Sequence, residues 1–194
     1  MNTNLDYVRT FLGERGNDDP LLTDTELSAL MSLSIRRELP ERLCARMAVQ
    51  GVACTRVSAD GLLRFTLRPL AHAPNEYHAG IGNWLDGACT IRVGDVSYEP
   101  AEGDVVDTYG GRVIFAQAPP PGAITVETYL IDLRAALIEV LRILKASHSR
   151  LSLKTNLAGM SVDLTGVCAS IQAEIDALST GYELPFAASE DFPH

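Results

Sequence analysis

The spacing of apolar positions changes period twice along the chain and divides it into three parts. Through residue 50 the period is that of a helix. Leu5, Val8, Phe11 and Leu12 share one face of a first helix, from Asn4 to about Leu12, which Gly13 and Gly16 end. After the polar stretch GNDDP, the segment TDTELSALMSLS opens with a capping box, in which the Thr23 hydroxyl accepts from the Glu26 amide and the Glu26 carboxylate reaches back. Leu27, Leu30, Met31 and Ser34 give its stripe. A third helix begins near Pro40, where a missing N–H is tolerated in the first turn, and runs to Gln50 with Leu39, Leu43 and Met47 as its apolar row.

From Val52 the period is two. VACTRVSADGLLRFTL reads as strand, turn, strand, with Asp60-Gly61 as the hairpin signal. ACTIRVGDVSYEP repeats the pattern around Gly94-Asp95, and DVVDTYGGRVIFAQA turns at Gly110-Gly111. The stretch GGRVIFAQAPPPGAITVETY is expected to form a closing hairpin, its corner stiffened by Pro119, Pro120 and Pro121, whose rings preset φ. Residues 52–127 therefore predict an inserted antiparallel module of about five to seven short strands.

Helix returns at Thr128, the expected N-cap, with Asp132 in the first turn. Projected at 100° per residue over Tyr129–Ala146, the charged residues Asp132, Arg134, Glu139, Arg142 and Lys145 occupy somewhat less than half the circumference. Leu133, Leu137, Val140, Leu141 and Leu144 lie opposite, and Ile131, Ala135, Ile138 and Ile143 fall on or beside the polar side. So wide an apolar arc suits a helix that is central in its domain or covered again by a neighbouring copy. LSLKTNLAGMSVDLTG is expected to be extended, with a turn near Ala158-Gly159, and a last helix from Thr165 to Leu178 aligns Val167, Ile171, Ile175 and Leu178. The fold class is thus α+β. A helical core, 1–51 and 128–180 in about four to five helices, carries a β-rich insertion at 52–127 and an extended tail at 181–194.

Composition narrows the function. With 194 residues, 46% apolar and 21% charged, the chain can bury a core, and no apolar run is long enough for a bilayer. The start, MNTNLD, has neither a basic nor an apolar leader region, so cytoplasmic synthesis is expected. The net charge of −9 argues against gripping nucleic acid, which needs clustered Lys and Arg. That charge is uneven: five arginines against two acids between Arg36 and Arg56, then six acids without Lys or Arg from Asp163 onward. Such polarity suits either solvated faces or head-to-tail contacts between copies. The tail has no overall period and combines acids with Tyr182, Phe186 and Phe192, the composition of a strap that docks.

Catalytic signatures are missing. His72, Glu76 and His78 match no established metal spacing, and the glycines of HAGIGNW and TYGGR match no phosphate-binding loop. Cys44, Cys54, Cys89 and Cys168 form no C-x-x-C pair and read as reduced, mostly buried thiols. The expectation is a protein without enzyme activity, cofactor or metal. A rival reading is a β-rich ligand-binding module whose pocket is built on Trp84, Tyr77 and His78.

Three stretches resemble the head–tail connector (adaptor) proteins of long-tailed bacteriophages: LDYVRTFLGERGNDDPLLTDTELSALM, VSYEPAEGDVVDTYGGRVIFAQAPPPGAITVETY, and AALIEVLRILKASHSRLSLKTNLAGMSVDLTGVCASIQAEIDAL. Together they cover just over half of the chain, while the stretch from Ile35 to Trp84 departs from the compact, all-helical members. The resemblance implies a structural virion protein assembled in the host cytoplasm. It would be a homo-oligomeric ring, a dodecamer in the virion neck, with one face on the portal protein and the other on a stopper or tail-terminator protein. DNA would pass through its lumen without specific binding; another neck or tail-completion protein is the near alternative. Ile131, Ile138, Ile143, Arg36, Arg37, Tyr182, Phe186 and Phe192 are the residues expected at subunit or portal contacts.

Overall fold

The computed structural model describes residues 3–14, 20–39, 41–119, 121–157 and 165–180. Within them lie five helices: α1 (Asn4–Phe11), α2 (Asp24–Leu33), α3 (Glu41–Val49), α4 (Leu133–Leu157) and α5 (Thr165–Ser179). Between α3 and α4 come nine short strands, β1 (Cys54–Arg56), β2 (Leu63–Thr66), β3 (Arg68–Leu70), β4 (Ala73–His78), β5 (Thr90–Val93), β6 (Val96–Tyr98), β7 (Val105–Asp107), β8 (Arg112–Ile114) and β9 (Ile124–Thr128). The fold is α+β, as the two periods require. No described helix is long and apolar enough to cross a membrane.

The start signals behave as their chemistry dictates. Thr3 caps α1 by accepting from the Asp6 amide at 3.0 Å. At α2 the capping box forms in both directions, Glu26 N to Thr23 Oγ1 at 3.2 Å and Thr23 N to Glu26 Oε2 at 2.8 Å. Arg9 holds the two helices together, donating to Glu14 at 2.7 Å and to Asp24 at 2.6 Å. Val8, Leu27, Met31, Leu137, Val140, Leu141, Ile175 and Leu178 form the buried core of α1, α2, α4 and α5.

The strands form two antiparallel sheets, ordered β1-β2-β9-β5-β6 and β3-β4-β8-β7. The chain passes from one to the other at the buried Leu67, between β2 and β3. Phe65, Ile91 and Val126 of the larger sheet share a core with Val113 and Phe115 on the smaller side and with Trp84. Leu43 and Met47 of α3 belong to this same core, so α3 packs with the β module. The three predicted hairpins are present as β1–β2, β5–β6 and β7–β8.

Three expectations are corrected. GGRVIFAQAPPPGAITVETY is not a hairpin: β8 pairs with β4 and β7, whereas β9 lies between β2 and β5 in the other sheet. The proline corner explains this, since residues without an N–H cannot extend a ladder and the chain changes sheet there. Second, Thr128 does not cap α4. It is the buried end of β9, and Asp132 is the cap, its Oδ1 accepting from the Ala135 amide at 3.1 Å. Third, α4 continues to Leu157, so LSLKTNL is helical. Leu153 and Leu157 are four residues apart, and extending an existing helix costs far less than starting an unpaired strand. Residues 158–164, with the expected turn at Ala158-Gly159, lie outside the described residues.

Residues 129–132 stay extended because backbone partners hold them on both sides. On one side Leu85 N donates to Tyr129 O at 2.7 Å and Ile131 N to Asn83 O at 2.9 Å. On the other, Arg36 N donates to Leu130 O at 2.8 Å and Asp132 N to Ser34 O at 2.7 Å. Leu130 bridges to Trp84 and Ile131 to Ile35, so a three-stranded joint locks the helical core to the β module.

A second lock involves α1. The Asp86 carboxylate accepts from the amides of Asn4 at 3.2 Å and Leu5 at 2.9 Å, as well as from the Thr108 hydroxyl. The fully buried Asn4 side chain donates to Trp84 O at 2.6 Å, and the rings of Tyr7 and Tyr109 stack 4.8 Å apart. Glycine is required where the 79–84 segment crosses the β7–β8 turn, since a Cβ at Gly82 would sit 1.9 Å from the Tyr109 carbonyl oxygen.

Candidate functional site

The residues expected at contacts scatter. Ile131 is 1% exposed and forms part of the joint and of the helical core, so it is not an outer-face residue. The helical projection misplaced it because α4 starts at Leu133, four residues later than expected and two beyond Ile131. Ile138 is half-buried against the helical core, while Ile143 is 37% exposed and does face outward. Arg36 places Nη2 3.1 Å from Asp132 Oδ2 across the joint. Arg37 is exposed. Tyr182, Phe186 and Phe192 lie outside the described residues.

The pocket expected around Trp84, Tyr77 and His78 does not form from those side chains. Trp84 is fully buried in the β core, and Tyr77 meets Phe115 edge-on with centroids 5.6 Å apart. His78 is buried at the end of β4, and that burial lowers its imidazole pKa against the opposing pull of Glu76. Glu76 itself receives Arg112 Nη1 at 2.7 Å, and Arg112 also bonds Asp107 through Nε at 2.7 Å. These charges staple β4 to β8 and the β7–β8 turn. Among the described residues no three His, Cys, Asp or Glu side chains gather as a metal-binding group.

A different concavity is present. The 36–39 segment, α3 and the β1–β2 hairpin enclose an open groove of about 760 Å³. Among the described residues, Arg36, Arg37 and Arg56 line it with one acid, Glu38, and its apolar wall comes from Leu39, Met47, Val52 and Leu63. Arg37 and Arg56 are exposed and form no ion pair among the described residues. β1 is an edge strand of its sheet, and Ala53, Cys54 and Arg56 line the groove. Cys44 and Cys54 also reach it. Burial, reinforced by the nearby Cys44, pushes the Cys54 thiol up to about 11. The Cys89 thiol is likewise raised to about 11, chiefly by burial. Both shifts oppose the thiolate that a nucleophile needs.

The sequence carried one signal for this groove, the excess of arginine between Arg36 and Arg56. It did not show that three of the five would converge, because that depends on α3 folding back over β1. Compared with protein-family models, with curated proteins and with solved structures, the chain matches none.

Proposed function

We propose that this chain is a structural protein of a bacteriophage neck. In this reading it is a head–tail adaptor that forms a ring beneath the portal and joins it to a stopper or tail-terminator protein, with DNA passing through the lumen. The observation that carries the reading is the exposure of large apolar side chains on four separate helices. Leu33 of α2 is 84% exposed, Val49 of α3 89%, Ile143 of α4 37% and Val167 of α5 41%. The same chain buries two complete cores, so these residues are surplus to its own packing. A ring of identical subunits needs two different surfaces that meet, and apolar side chains on different helices can supply them. The joint at residues 129–132 supports the reading as well, since a part that transmits load between two bodies needs its own modules fixed. The charge of −9 suits a lumen through which duplex slides, because no counterion-releasing grip forms. In the virion its place would be the head–tail neck.

The test is electron microscopy of the protein mixed with its cognate portal. A ring, or a portal with an added lower tier, is the expected result, and Ile143→Asp with Val167→Asp should abolish it without unfolding the chain. A protein that stays monomeric and ignores the portal would overturn the reading.

A further inference from the structure

The five-stranded sheet ends in two edges of opposite character. One is β1, which lies along the groove beneath α3 and carries Arg56 there, with Arg37 lining the same groove. The other is β6. From Val93 to Gly111 the chain around β6 holds five acids and no Lys or Arg. Asp95, Glu99 and Glu102 are exposed and form no ion pair among the described residues. Val96 of β6 is 72% exposed, and the groove offers an apolar wall in Leu39, Met47 and Val52.

The ladders fix which backbone groups each edge leaves unused. Ala53 O accepts from the Thr66 amide at 2.9 Å, and the Val57 amide donates to Leu62 O at 2.8 Å, so residues 53, 55 and 57 face β2. The amides and carbonyls of Cys54 and Arg56 therefore point away from the sheet. At the other end the Gly94 amide donates to Ala123 O at 2.8 Å. By alternation Arg92 also faces β9, and Ile91 and Val93 face β6, where they pair with Tyr98 and Val96. The backbone groups of Ser97 and Glu99 are left pointing outward.

Strand direction and side-chain facing agree with a contact between these two edges. Successive neighbours in the sheet are antiparallel, so β1 and β6 run the same way. A second copy brought up edge to edge without being turned over sets its β6 parallel to β1. In a parallel pair, a residue whose backbone groups reach across lies opposite one whose groups do not. Cys54 and Arg56 then lie opposite Val96 and Tyr98, and these belong on one face. The row Cys54, Phe65, Val126, Ile91, Tyr98 crosses the sheet on its core side. A contact of β1 with another β1 would set arginine against arginine, and one of β6 with another β6 would set acid against acid.

We infer that copies of this chain join head to tail through these edges, β6 of one copy adding in parallel to β1 of the next, inside its α3–β1 groove. With Arg56 opposite Tyr98, the Arg56 amide donates to Ser97 O, and the amides of Ser97 and Glu99 donate to the carbonyls of Cys54 and Arg56. Val96 meets the apolar wall, and the acids around β6 face Arg37 and Arg56. The inference rests on the ring reading, for which it supplies a contact between two different surfaces of one chain.

Sedimentation of the full chain, alone and in mixtures, tests this. Proline at an outward position removes a donor from the edge and leaves the ladder within the sheet intact. The wild-type chain should assemble as its concentration rises. Ser97→Pro blocks β6 alone and Arg56→Pro blocks β1 alone, and each should associate at least about tenfold more weakly with circular dichroism unchanged. An equimolar mixture of the two should give a heterodimer and nothing larger, since one open β1 meets one open β6. Undiminished self-association of either variant would overturn the inference, as would a mixture that stays monomeric or a wild-type chain that assembles neither alone nor on the portal. A portal-bound ring that forms undiminished from Ser97→Pro would overturn this contact and leave the adaptor reading standing. A wild-type chain that assembles through these edges but ignores the portal would do the reverse.

Discussion

The two cores are closed in different ways. Among the described residues, the fifteen buried ones of the β core all fall between Leu43 and Leu130, one continuous segment. The helical core joins Val8, Leu22, Leu27 and Met31 to residues from Ile131 to Leu178, on the far side of that segment. The insertion is therefore a self-sufficient body, and the helical domain is two halves that the insertion brings together. The joint at 129–132 does this with backbone bonds to residues 34–36 on one side and 83–85 on the other.

Breaking one core at a time tests this asymmetry. Phe65→Ala removes a fully buried ring from the β core and should cost about 3–5 kcal/mol. Helical circular dichroism and Trp84 fluorescence should then fall in one urea transition, because the helical halves lose the body that aligns them. Leu137→Ala, in the helical core, should cost about 2–5 kcal/mol. Here the helical signal should melt first, with Trp84 still buried. Coincident transitions in both variants would show that the two cores do not differ in this way.

A smaller effect sharpens the same point at the second lock. Asp86→Ala leaves the first amides of α1 and the Thr108 hydroxyl without their shared acceptor. It should cost about 2 kcal/mol and loosen α1 alone, which hydrogen exchange at Tyr7 and Val8 would detect.

The smallest effect is one of pH and belongs to the β module. Partial burial raises the Asp104 carboxyl, but the Ala116 and Ala101 amides and the Tyr98 hydroxyl outweigh it and hold its pKa below the ordinary carboxylate value. A carboxylate depressed in the folded state contributes stability above its unfolded pKa and loses that stability as pH falls through the folded one. Melting temperature should therefore decline on acidification below the usual aspartate range, and Asp104→Asn should decline less over that interval. Equal slopes would remove Asp104 from the account.

The signals that proved legible in the sequence were local. The Thr23–Glu26 capping box, Gly51 after α3, and the turns at Asp60-Gly61, Gly94-Asp95 and Gly110-Gly111 each depend on residues within a few positions of one another. What the sequence did not disclose depends on partners far along the chain. Nothing near Ile124 says that β9 will run between β2 and β5 instead of pairing with β8. Ile131 fits a helical stripe as well as a strand, and only the amides and carbonyls of residues 34–36 and 83–85 decide for the strand. The groove follows the same rule. Its arginines were visible as a charge excess, but their convergence depended on α3 packing with the β core.

The divided helical core also has a consequence in time. On the ribosome, α1 and α2 emerge roughly 100 residues before the first turn of α4, which at about 5–20 residues per second is on the order of 5–20 s. Throughout that interval the faces bearing Val8, Leu27 and Met31 lack their partners on α4 and α5, while the β module can complete itself. The nascent chain therefore passes through a stage in which its amino-terminal helices are an exposed, sticky surface. During synthesis, the vulnerable part of this protein is the half of the helical core that emerges before the β module.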